Sequence, residues 1–227
     1  MHSPRYCKQA AFDLFVSETA QIETDVGICN AATAIAMHFD PLVCPQHVAL
    51  KLDDIANQVT DRVVSGRSLA LTAHLHHMLF DEIGFRGNAE NFFDPKNSFL
   101  SSVLERRCGI PITLALVYKL VAGRCGLAVE GLNTPGHFLA RLTLENERMI
   151  VDCFNGGKLL SENEVIARGL KMTSGQNVAG SAVIEVATHR QWVARILANL
   201  IHTFTLENRR DDIAAVSELY DVLTLAY

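Results

Sequence analysis

Residues 112–122 are apolar on nearly every side, interrupted only by Thr113, Tyr118 and Lys119. A helix of that composition has no face to give to water, so it must be buried. Pro111 fits its first turn, where a missing N–H costs nothing, and Gly126 ends it. Such a helix needs cover, and the residues after it offer an antiparallel sheet. Residues 128–133, 137–144 and 148–154 read as strands, with Glu145-Asn146-Glu147 as the turn between the last two. The order is helices, one buried helix, a small antiparallel sheet, then more helix, which predicts an α+β fold.

Helical signals surround this centre. Pro45 starts a helix after Cys44, and Val48, Leu52, Ile55, Val59 and Val63 recur at three- or four-residue steps. Residues 69–83 read as the next helix, ending at Gly84. Residues 87–98 form a polar, Asn-rich connector with the turn pair Asp94-Pro95. Asn97 or Ser98 is placed to cap a short helix carrying Leu100, Val103 and Leu104. Ser161-Glu162-Asn163-Glu164 has capping-box spacing, and residues 171–181 read as a surface loop. Residues 188–206 and 211–226 predict two final helices, the first anchored by Trp192. The division expected is a helical region at 1–90, a core at 91–182 and a helical hairpin at 183–227 docked on that core.

Composition removes several function classes. A length of 227 residues, 49% of them apolar and 20% charged, suits a globular protein with a sizeable core. Net charge is -5 and no run of Lys or Arg exceeds two, so neither nucleic acid nor an anionic membrane is an expected partner. No stretch approaches the roughly 20 continuous apolar residues of a membrane span. Residues 1–11 have no apolar core like that of a signal peptide, and a cytoplasmic protein is expected. Cys7, Cys29, Cys44, Cys108, Cys125 and Cys153 form no C-x-x-C pair, so neither a disulfide framework nor a zinc site is predicted, and no cofactor is expected. His74, His76 and His77 suggest a metal at first sight. Only His74 and His77 share a helical face, however, and the group reads as a solvated surface.

Chemistry is best sought around the buried helix. A cysteine hydrolase needs a thiol at a helix N-terminus, an imidazole to take its proton and an acceptor to fix the imidazole tautomer. The strand histidine is His137, in Pro135-Gly136-His137-Phe138, and the strand acid is Asp152, in Val151-Asp152-Cys153-Phe154-Asn155-Gly156-Gly157. Neighbouring strands make their contact natural. Cys108 precedes the helix by three residues and is flanked by Arg106 and Arg107, which favour thiolate. Cys153 faces away if Asp152 faces the histidine, and Cys125, at a helix C-terminus, reads as core. Thr113 offers a hydroxyl in the first turn, either as a nucleophile or bonded locally. Asn88, Asn91 and Asn97 either line a pocket above the sheet or satisfy their own connector. Asn88, Asn97, Thr113 and Asn155 are the candidate binding residues.

Three runs carry a resemblance to a known family: Leu79-Phe80-Asp81-Glu82-Ile83-Gly84-Phe85-Arg86-Gly87-Asn88, Asp94-Pro95-Lys96-Asn97-Ser98-Phe99-Leu100 and Arg106-Arg107-Cys108-Gly109-Ile110-Pro111-Ile112. With the Pro-Gly-His-Phe and Phe-Asn-Gly-Gly segments they resemble the SirB-type transglutaminase-like proteins, strongly over residues 69–160. The resemblance implies a transglutaminase-like, papain-related core with His137 and Asp152 at the family's His and Asp positions. Catalytic relatives carry Gly-x-Cys-x-x-x-Ala at the buried helix. Laid on Gly109 to Ala115, that pattern puts Pro111 in the cysteine slot, a substitution that SirB-type relatives share. Cys153 stands where the family usually has Pro. Residues 195–227 resemble one tetratricopeptide hairpin, which cannot bury its faces alone. The leading expectation is a catalytically degenerate domain that binds a protein or peptide. The alternative is a cysteine hydrolase or acyltransferase with displaced nucleophile Cys108, base His137 and orienting Asp152. A third reading is a helical scaffold whose sheet only supports the repeat-like end.

Overall fold

The computed structural model describes residues 3–63, 67–145, 147–172 and 184–225. Its helices are α1 (Gln9–Thr19), α2 (Asp25–Phe39), α3 (Pro45–Thr60), α4 (Ser68–His76), α5 (Leu100–Arg106), α6 (Pro111–Arg124), α7 (Glu162–Met172), α8 (His189–Leu206) and α9 (Arg210–Leu225). The strands are β1 (Arg86–Gly87), β2 (Cys108–Gly109), β3 (Ala128–Thr134), β4 (His137–Thr143), β5 (Arg148–Asp152), β6 (Lys158–Leu160) and β7 (Glu185–Ala187). The α+β class stands. Two compact units form, one from residues 52–88 and 107–187, the other from residues 1–51, 89–106 and 188–227. Each gathers separate stretches of chain, whereas the division expected from sequence was contiguous.

In the first unit, Pro111 is the first residue of α6 and every residue from Pro111 to Ala122 is buried. Two of the three polar interruptions find partners. Lys119 donates to the Val129 carbonyl at 3.0 Å, and the Tyr118 hydroxyl meets His76 Nε2 at 2.9 Å. The sheet is antiparallel in the order β6-β5-β4-β3-β7. Its two edges, β6 and β7, are three residues each, too short for alternation to reveal them. Leu132, Leu139 and Ile150 on one face form a core with Leu160 and with Val165 of α7. By alternation Phe138, Ala140, Leu142 and Val151 point to the other face, where α6 packs on β3 and β4. Ser161 and Glu164 make the expected reciprocal bonds at the start of α7, with Glu164 accepting from the Ser161 N–H at 2.8 Å. That helix runs through Met172, so Lys171 and Met172 are helical rather than loop. The rest of the expected loop, residues 173–181, and the turn residue Asn146 lie outside the described residues.

Residues 69–83 do not form one α-helix. After His76 the chain widens into a π-helix, His77–Glu82. Phe80 there stacks near Tyr118, with centroids 6.1 Å apart, and lies so close to Gly157 that any Cβ would strike its ring. His76 is half-buried against Tyr118 rather than lying on a solvated face. His77 pairs with Asp81 at 3.0 Å and with Glu82 at 3.1 Å.

In the second unit the α8–α9 hairpin packs on α2 and α1. Trp192, Leu197 and Leu200 are fully buried, and Phe39 of α2 stacks on Phe99 and meets Phe204 of α8. Thr188 and Gln191 close a capping box at α8. Asn97 ties the connector together. Its amide donates to the Asn91 and Phe92 carbonyls at 2.7 and 3.1 Å, satisfying the connector from within.

Candidate functional site

The β3–β4 turn is Pro135-Gly136, with Gly136 at φ +71°, the conformation a glycine adopts without strain. Thr134 Oγ1 donates to the His137 carbonyl at 2.9 Å and fixes the strand's first residue. Ala140 lies opposite Val151. One further step puts position 152 opposite Leu139, so Asp152 sits diagonally from His137 on the same sheet face. His137 Nε2 and Asp152 Oδ1 are 2.9 Å apart. That face is the one α7 covers.

Asp152 has no exposed side-chain surface. Besides His137 it accepts from the Asn155 N–H at 3.2 Å and from Asn155 Nδ2 at 2.8 Å, and Arg168 of α7 reaches it at 3.5 Å. Burial opposes its ionisation, but the bonds from His137 and Asn155 outweigh burial and hold it below the usual carboxylate range. An ionised carboxylate only accepts, so His137 donates from Nε2, and the neutral ring carries its basic lone pair on Nδ1. The Phe154 ring meets the His137 ring edge-on at 6.0 Å, and also lies against Gly87 of β1.

A cavity of about 230 Å³ opens beside the pair. The Thr134–His137 turn, Leu139, Asp152 and Asn155 bound it on the sheet side, and Val165, Arg168, Gly169 and Met172 of α7 on the other. No cysteine borders it, and all six are among the described residues, each without a disulfide. Cys153 is fully buried, and burial followed by the Asp152 charge pushes its thiol well up. Cys108 lies half-buried in β2, opposite Arg86. Its flanking arginines are engaged elsewhere, Arg106 with Asp94 at 2.9 Å and Arg107 with the Ile83 carbonyl at 3.5 Å. Burial also raises the Cys125 thiol.

Of the four candidate binding residues, only Asn155 borders this cavity. Asn88 ends the β1–β2 ribbon, its N–H on the Gly109 carbonyl. Asn97 is buried in the other unit. Thr113 is buried in α6, and its Oγ1 makes no hydrogen bond, not even the local one expected of a helical threonine. Sequence reasoning missed Arg168. The signal was present, since Val165, Arg168, Gly169 and Met172 fall at i, i+3, i+4 and i+7, one face of α7. No candidate metal cluster exists among the described residues, and no helix there is long and apolar enough to cross a membrane.

A family model described as transglutaminase-like superfamily matches residues 46–198, well over half of the sequence. The chain belongs to the transglutaminase-like superfamily. The UPF0162 protein of Xylella fastidiosa strain 9a5c is 36% identical over 149 residues, covering 64% of this chain and 53% of that protein. F-box only protein 21 of Mus musculus is 31% identical over 135 residues, covering 56% of this chain and 21% of that protein. The chain thus spans about half the length of the Xylella relative. No solved structure matches.

Proposed function

We propose that this is a SirB-type transglutaminase-like domain that binds a protein or peptide segment at the His137–Asp152 cavity and performs no acyl transfer there. The observation that carries this reading is a histidine–aspartate pair with the hydrogen bonding of a catalytic dyad, beside a cavity that no cysteine borders. Pro111 as the first residue of α6 fits it, since an imino acid stands where catalytic relatives are expected to hold a thiol. A bonded imidazole, an aromatic edge and an apolar wall are serviceable for recognition without bond cleavage. In the tetratricopeptide-like reading of α8–α9, one side of the hairpin packs on α1 and α2.

The test is a broad panel of amide, ester and thioester substrates offered to the intact chain, paired with peptide titrations followed at the His137 ring by NMR. No turnover, with ring shifts on binding that vanish in His137→Ala, is the expected result. Turnover that His137→Ala abolishes would overturn the proposal.

A further inference from the structure

The cavity is selective in charge as well as shape. Pro135, Leu139, Val165 and Met172 make its walls apolar. Among the described residues Asp152 is the one carboxylate that borders it, and its oxygens already accept from His137, Asn155 and Arg168 without any exposed surface. Arg168 differs. Its single contact with Asp152 is 3.5 Å, against about 2.7–2.9 Å for a close charge-assisted bond, and its side chain is 49% exposed. A guanidinium has five N–H donors in a fork that matches a carboxylate. Glu164, one turn earlier, feels the Arg168 charge, but its carboxylate is bound to the Ser161 N–H and hydroxyl at 2.8 and 2.9 Å. About 230 Å³ holds roughly seven waters at ~30 Å³ each, room for one apolar side chain.

We infer that the cavity takes the C-terminal residue of a peptide, with its α-carboxylate on Arg168 and its apolar side chain among Leu139, Val165 and Met172. The inference rests on the binding reading above and adds the class of ligand. An amidated end or an internal segment brings no anion to the guanidinium. Met172 lies over Gly136 with most of its surface exposed, and its unbranched thioether can settle against aliphatic and aromatic ends alike. Selection is therefore for an apolar terminal residue rather than for one side chain.

The experiment is fluorescence anisotropy with the intact chain and N-terminally labelled pentapeptides ending in Leu, Phe, Met or Val. Each is compared with its C-terminal amide and with an amide carrying Glu as the last residue. Free acids should bind about tenfold or more tightly than amides, as expected for a charge-assisted bond. Arg168→Gln should erase that difference, Arg168→Lys should retain part of it, and His137→Ala should weaken acid and amide alike. Equal binding of acid and amide, still sensitive to His137→Ala, would overturn the carboxylate assignment and leave the binding reading standing. A Glu-amide matching the free acid would move the carboxylate to a side chain and overturn the C-terminal assignment. Failure of every peptide at millimolar concentration would overturn both.

Discussion

Asp152 shows how a few donors decide the charge of a buried carboxylate. Its depressed pKa contributes stability that is complete above the ordinary carboxylate value and is lost as pH falls through the folded one. Removing it leaves His137, Asn155 and Arg168 without their shared acceptor, so Asp152→Ala should destabilise the fold by about 3 kcal/mol in urea titrations. Thr113 is the opposite case. Its hydroxyl is buried without a partner, so isosteric Thr113→Val should be neutral or stabilising by up to about 1 kcal/mol. A loss of stability there would show that the hydroxyl has a bonded partner. At this scale the sequence pointed to the His137–Asp152 contact, because strands joined by a short turn lie side by side and the pair falls diagonally across them. It did not reveal that Thr113 lacks its local bond, which depends on side-chain rotation inside a closed core.

Among the elements, α6 and the three long strands were legible to within a residue or two, since a continuous apolar run and period-two alternation survive in any context. The π-helix was not. Its local spacing reads as α, while the wider turn sets Phe80 against the distant Tyr118 and Gly157. Gly157 sits at φ +75° with Phe80 against its Cα. Gly157→Ala should therefore cost about 2–3 kcal/mol, read as a fall in denaturation midpoint with unchanged slope. The stripe on α7 was present in sequence but aimless until β5 and β4 gave it a face to cover. The segment at Arg5, Tyr6 and Cys7 is held in the same non-local way, its three N–H groups on Glu218 of α9 at 2.6, 3.0 and 2.8 Å. Burial and the Glu218 charge push the Cys7 thiol up to about 12. Glu218→Ala should release the segment and speed alkylation of Cys7 in the native protein, and an unchanged rate would mean that other contacts hold it.

At the scale of the whole molecule, among the described residues each unit carries one histidine that burial makes reluctant to charge, His38 in one and His76 in the other. Both folded values lie below the ordinary 6.5, so the unfolded chain binds protons first and stability declines as pH drops below about 6.5. Melting temperature should fall between pH 7 and pH 5, and His76→Gln should flatten part of that slope. Composition and order of elements made the α+β class legible. They did not show that the chain returns to each unit, because burial patterns name what is inside but not which inside. The central claim is that no thiol serves His137, and per-cysteine mass spectrometry of iodoacetamide labelling at pH 6, in the wild type and in His137→Ala, addresses it directly. The account predicts that no cysteine outpaces an ordinary peptide thiol and that the substitution changes none of the rates. One cysteine, Cys108 above all, labelling far faster than the rest and losing that advantage in His137→Ala would contradict it.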